Sequence, residues 1–140
     1  MLHKITVKGT VRISSDNTKA ADICARLRKL LPKSLDTMNC EDKSTLIRFI
    51  GNSYTLTSEI AYTVWSLLHD LPEHAVSPSR IYFIDGLEEM KIYCGPVKDI
   101  ENMQSIDAFN KIYVMCKALA NKELLSLKDY VEKLIKEREV

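Results

Sequence analysis

Glycine is scarce in this 140-residue chain, which has four, none beside another. A Gly-rich phosphate cradle is therefore excluded, because neither G-x-x-x-x-G-K-[ST] nor G-x-G-x-x-G can be written. Cysteine is as sparse. Cys24, Cys40, Cys94 and Cys116 form no C-x-x-C pair, which argues against a zinc site and against a disulfide framework. They read as free thiols, three of them among apolar residues, serving as small hydrophobes in a reducing cytoplasm. No apolar run approaches the roughly 20 residues that cross a bilayer, and the N-terminal Lys has no apolar stretch behind it to make a secretory signal. No membrane partner is expected. No nucleophile elbow, RNP-type aromatic motif or GXXG clamp is present. The expectation is a non-enzymatic protein without cofactor or metal.

What the chain does have is polarised charge. The first 33 residues hold eight of the 20 Lys and Arg and two of the 19 Asp and Glu. That leaves the segment at +6 and the remainder at −5, inside a total of +1. The charge is also patterned. From Lys4 to Ile13 the even positions are Lys4, Thr6, Lys8, Thr10 and Arg12, and the odd ones Ile5, Val7, Gly9, Val11 and Ile13. Side chains alternate faces along a strand, so this is a strand with an apolar underside and a basic upper face.

Length and a 46% hydrophobic content suit one domain, 1–140, with its own core and residues 135–140 frayed. After the basic strand, Ser14–Thr18 offers helix caps. Ala20, Ile23, Leu27, Leu30 and Leu31 then make a helical stripe that Pro32 ends. Residues 34–43 read as a loop. Thr45–Ile50 reads as a strand closed by Gly51-Asn52, with Tyr54–Leu56 as a short return strand. Thr57 or Ser58 caps a helix with Ile60, Val64, Leu67, Leu68 and Leu71 on its stripe, stopped by Pro72.

Arg80–Ile84 and Glu89–Cys94 read as a hairpin around the four-residue loop Asp85–Glu88. That register sets Ile84 opposite Glu89, Phe83 opposite Met90, Tyr82 opposite Lys91, Ile81 opposite Ile92 and Arg80 opposite Tyr93. A two-residue loop at Asp85-Gly86 would mix the faces. A helix over 101–120 carries Met103, Ile106, Phe109, Tyr113 and Cys116. A last helix carries Leu124, Leu127, Val131, Leu134 and Ile135, with Ser126 and Asp129 as a capping box. The order β-α-β-α-β-β-α-α predicts an α+β domain: an antiparallel or mixed sheet of about four strands with helices mainly on one face.

One sheet with helices on its apolar side would gather Lys4, Lys8, Arg12, Arg48, Arg80, Tyr82, Lys91 and Tyr93 on the other. Cations neutralise phosphate and Tyr rings stack on bases, so the leading expectation is a binding face for a nucleotide or a short nucleic acid. Lys on edge strands also discourages aggregation, and Leu46, Ile50 and Ile84 share the face. The alternative is therefore a protein-interaction or homo-oligomerising regulator, of the kind found as a standalone viral or mobile-element accessory or inhibitor protein. His69-Asp70-Leu71-Pro72-Glu73-His74 groups acid-base side chains, but Pro72 separates the histidines, and it reads as a polar helix end. Asp85, Glu88 and Glu89 read as turn residues rather than as a metal site.

Overall fold

The computed structural model describes residues 1–139. They divide into two units, Met1–Met103 and a helical unit from Gln104 onward. The first unit has the order β1 (Leu2–Ser14), α1 (Thr18–Leu30), β2 (Leu35–Asn39), β3 (Ser44–Thr57) and α2 (Ser58–Asp70). A 3-10 turn at Pro72–His74 leads into β4 (Ser79–Asp85) and β5 (Glu88–Cys94), and α3 (Val97–Cys116) begins there. α4 (Asn121–Arg138) completes the chain. The five strands form one antiparallel sheet in the order β2-β3-β1-β4-β5, so the basic strand lies at its centre. The α+β class and the antiparallel sheet agree with expectation.

The alternation of β1 decides which side is covered. Ile5, Val7, Val11 and Ile13 are buried with Ile47, Phe49, Leu56, Ile81, Phe83, Ile92 and Cys94, and α1 and α2 pack over them. α1 contributes Ala20, Cys24 and Leu27, and α2 contributes Ala61, Val64, Leu67 and Leu68. Each large side chain fully removed from water supplies roughly 1.5–3 kcal/mol. The stripe of α2 is turned slightly from expectation: Ala61 is buried and Ile60 is 37% exposed. Both helices have side-chain caps. Asn17 Oδ1 accepts from the Ala20 N–H at 3.0 Å, and Thr57 Oγ1 from the Ile60 N–H at 3.3 Å. Leu31 and Leu71, each just before a proline, are both wholly buried. The repeated Leu-Pro is thus one local device used twice, a buried plug followed by a residue that cannot continue the helix.

Two expectations on the β2–β3 side are corrected. Residues 34–43 are not a plain loop, because Leu35–Asn39 pairs with Thr45–Phe49 as an edge strand. Its residues are mostly exposed and polar, so no buried face marked it in the sequence. Gly51-Asn52 does not close a strand either; β3 runs through it. Thr6 faces Ser53 and Lys8 faces Ile50, so Val7 opposes both Gly51 and Asn52 in a β-bulge, with Gly51 at φ 90°. The extra residue flips the pattern: core positions are Ile47 and Phe49 before it, Tyr54 and Leu56 after it.

The β4–β5 register is the expected one, pair for pair. The loop is shorter, since Asp85 pairs with Glu88 and only Gly86 and Leu87 remain in the turn. Gly86, at φ 62°, fits the first central position of a primed two-residue turn. In the helical unit, α4 starts at Asn121 rather than near Ser126. Glu123 Oε1 accepts from the Ala120 N–H at 3.1 Å, while Ser126 donates to the Lys122 carbonyl within the helix. α4 is helical through Arg138, and Val140, the end of the span expected to fray, lies outside the described residues.

Candidate functional site

The ladder brings the eight sequence-predicted residues onto the sheet face opposite α1 and α2. β1 contributes Lys4, Lys8 and Arg12, β3 Arg48, β4 Arg80 and Tyr82, and β5 Lys91 and Tyr93. Lys4, Lys8, Arg48 and Lys91 are exposed; Arg12, Arg80, Tyr82 and Tyr93 are half-buried. Directly paired residues make a row across four strands, Ile50–Lys8–Tyr82–Lys91. Lys8 Nζ lies 5.8 Å from the Tyr82 ring centroid, and Lys91 Nζ 5.9 Å from the rings of both Tyr82 and Tyr93. The Arg80 guanidinium lies 5.9 Å from the Tyr93 ring. Cations and π-faces thus interleave at cation–π distance.

The β2–β3 side of the same face differs. Arg48 donates to Asp36 at 2.8 Å, and Arg12 to Asp42 at 3.5 Å. The Asp42 carboxyl is held below its usual range, first by the Ser44 hydroxyl it accepts from and then by further contacts that include Arg12. A groove of about 490 Å³ here is lined by Asp36, Thr37, Met38, Leu46 and Arg48.

The His69–His74 segment assembles no site. The His69 ring sits against Trp65 at 4.0 Å with Nδ1 on the Trp65 carbonyl, whereas His74 accepts from Asn17 and approaches Glu73. Among the described residues no three His, Cys, Asp or Glu side chains cluster to hold a metal ion. No disulfide forms; all four cysteines are free, with Cys24 and Cys94 buried and their thiols pushed up to about 11, chiefly by desolvation.

A second constellation was missed in the sequence. His3 Nδ1 lies 2.9 and 3.2 Å from the two carboxylate oxygens of Asp85, and His3 Nε2 lies 2.8 Å from Ser58 Oγ. These residues continue the core phase of their strands, His3 before Ile5 and Val7, and Asp85 after Ile81 and Phe83. Ile5 pairs with Asp85, which makes His3 its diagonal neighbour. The Gly86 N–H bond to the Lys4 carbonyl, 3.0 Å, holds the hairpin tip there. Ser58 arrives from the strand-to-helix junction as the first residue of α2. The one available signal was phase: a His and an Asp at odd, core-side positions where the apolar pattern ends.

A carboxylate only accepts, so neutral His3 carries its proton on Nδ1 and offers the Nε2 lone pair to the Ser58 hydroxyl. The competing acceptor of that hydroxyl, the Met1 carbonyl, is farther at 3.5 Å. The three residues rim a cleft of about 420 Å³ whose wall includes Ala61, Tyr62, Trp65 and Phe83.

Comparison with protein-family models, with curated proteins and with solved structures gives no match.

Proposed function

We propose that this protein binds single-stranded nucleic acid on the sheet face opposite α1 and α2. The observation that carries this reading is the interleaving of Lys8, Tyr82, Lys91, Tyr93 and Arg80 on three adjacent strands, each cation 5.8–5.9 Å from a ring centroid. Phosphates would exchange with the rings for the cations, and bases would stack on the Tyr faces, each stacked base contributing roughly 1–3 kcal/mol. An extended strand fits better than a mononucleotide. Small-molecule sites are concave and enclose most of their ligand. The groove on this face has one cation in its lining, Arg48, and that is paired with Asp36. Lys4 and Lys8 are the exposed cations of the central strand and carry most of the expected phosphate contact; Arg12 contributes less because Asp42 offsets it.

The test is fluorescence anisotropy with labelled oligothymidylate and oligouridylate over a salt series. Affinity should fall with salt at roughly 0.7 log units per phosphate contact per log unit of salt. Lys8→Glu with Arg12→Glu should weaken binding at least about tenfold, or ~1.4 kcal/mol, and flatten that slope. Unchanged affinity in the double variant refutes the reading, and so does tighter binding of mononucleotides than of oligomers.

A specific observation favours a second reading, self-association through the helical unit. Among the described residues from 104 onward no side chain is buried, and thirteen large hydrophobics there are at least 36% exposed, including Phe109, Tyr113, Leu125 and Tyr130. Along the expected α3 stripe Met103 is buried, whereas Ile106, Phe109 and Tyr113 are exposed. Of the thirteen, Leu124, Leu127, Val131 and Leu134 follow one face of α4. A second copy of this chain suits it. In α4, Leu124, Leu127, Val131 and Leu134 repeat at 3-4 spacing, and in a parallel pair Glu123 of one copy meets Lys128 of the other. Sedimentation equilibrium should give a dimer with a dissociation constant near or below ~1 μM, weakened at least tenfold by Leu127→Glu. A monomer well above that concentration refutes it.

A further inference from the structure

The geometry points to Ser58, His3 and Asp85 as a nucleophile, base and orienting acid for acyl transfer, with small carboxylic esters of apolar or ring-bearing groups as substrates. Three observations converge. The hydrogen-bond chain is complete at 2.8 and 2.9 Å, inside the range over which a base takes a hydroxyl proton. The proton order is the productive one, since Asp85 fixes the tautomer that leaves Nε2 free to accept from Ser58. The same three residues rim an open, largely apolar surface depression of about 420 Å³, beside which Tyr62 and Trp65 stack at 5.8 Å. The base is accessible: the His3 side chain is 25% exposed and that of Asp85 37%.

The position of Ser58 supplies the remaining element. It is the first residue of α2, and the N–H groups of a first helical turn have no intrahelical acceptor. Thr57 takes the Ile60 N–H, and the positive end of the α2 dipole lies behind Ser58, where it favours a developing oxyanion.

The step balances without a further reactant. Ser58 Oγ bonds to the ester carbonyl carbon while its proton passes to His3 Nε2 and the carbonyl π pair moves onto oxygen. Collapse of the adduct breaks the bond to the alcohol oxygen, which leaves with the proton from His3. Water then repeats the sequence on the acyl-Ser58 ester, giving its proton to His3, releasing the carboxylic acid and restoring Ser58. Asp85 stabilises the imidazolium at each stage and is not itself protonated.

The experiment uses the full chain, a fluorophosphonate probe and p-nitrophenyl butyrate, with intact-mass and peptide mapping of the adduct. Labelling should fall on Ser58 alone, with nitrophenol released in a burst of one equivalent. Ser58→Ala should abolish both. His3→Gln should slow labelling at least about 100-fold, and Asp85→Asn should slow it to a lesser but clear extent. Ser53→Ala, away from the cleft, should change nothing. Urea midpoints of all variants separate lost chemistry from lost fold; Ser58→Ala keeps the cap of α2, which belongs to Thr57. Absence of a Ser58 adduct in the native protein overturns the inference, as does equal labelling in folded His3→Gln.

Discussion

Replacing Gly9 by Ala isolates the cost of the closest approach in the sheet. Gly9 sits mid-strand on β1 at φ 120°, paired with Phe49 on one side and Ile81 on the other. A Cβ there would lie 2.3 Å from the Arg80 carbonyl oxygen and 2.9 Å from Ile81 Cα. Carbon and carbonyl oxygen rest about 3.3–3.6 Å apart even in their closest favourable contacts, so β4 would have to retreat by roughly 1 Å. The backbone cannot yield instead, because a positive φ of this size costs an L-residue roughly 1–3 kcal/mol. Adding an overpacking cost of similar size gives a loss of about 2–6 kcal/mol, a large share of the ~5–15 kcal/mol available to a domain. Gly86→Ala is the control. Gly86 also has positive φ, 62°, but nothing lies within 4 Å of its added Cβ. Its loss should be about 1–2 kcal/mol, the left-handed conformation alone. Urea titration followed by far-ultraviolet circular dichroism measures both, and the midpoints should differ with the slope unchanged. A Gly9→Ala variant within ~1 kcal/mol of Gly86→Ala, beyond the usual error of extrapolation, would refute the steric account.

Leu68→Ala, at a wholly buried position between α2 and the sheet, should cost about 2–5 kcal/mol by urea titration. Asn17→Ala removes both the cap of α1 and the amide that donates to His74 at 3.1 Å, and should cost about 1–2 kcal/mol in the same assay. Timed alkylation at pH 8 with mass spectrometry should modify Cys40 and Cys116 and spare Cys24 and Cys94 until unfolding. The two buried thiols also impose a pH dependence. Their folded pKa values are raised from 9.0 to about 11, so the native state holds protons that the unfolded state releases. Their contribution is fully present below pH 9 and is lost as pH rises towards 11; Cys24→Ala with Cys94→Ala should flatten the decline of the urea midpoint across that window.

The readable parts of this chain were those with a period. The alternation of β1 identified both its faces, and the facing apolar sets of β4 and β5 set their register without the turn being known. A two-residue turn at Gly86-Leu87 and a four-residue loop from Asp85 give identical pairings, so the pattern fixed the ladder and left the loop length open. Reading failed where period was absent or broken. Exposed β2 had no buried face to alternate with. The bulge at Gly51 changed the parity of β3 midway, which made one strand look like two. The helical stripes of α3 and α4 were legible, but periodicity reports an apolar face and not what covers it. The Ser58–His3–Asp85 chain required the register of three strands and the entry of α2 together. Each of its members is an ordinary polar residue in its own segment.

β1 serves two candidate sites with alternate residues, and that makes their independence testable. His3 is on the side of α2 and the cleft, Lys8 on the opposite side beside Tyr82. Five residues of strand separate them by roughly 17 Å, and no partner is shared between the His3 hydrogen bonds and the Lys8 cation–π contact. Effects at such distances add to within about 0.3–0.5 kcal/mol. Lys8→Glu should therefore weaken oligonucleotide binding and leave the rate of Ser58 labelling within about twofold, His3→Gln should do the reverse, and the double variant should show both losses undiminished. A change of charge at position 8 could reach His3 only through the field, which physiological salt screens over about 8 Å. If His3→Gln weakened oligonucleotide binding as much as Lys8→Glu at unchanged urea midpoint, the ligand would be contacting both sides of β1. Such a ligand would have to pass round the N-terminal end of β1, and the independence of the two sites would be refuted.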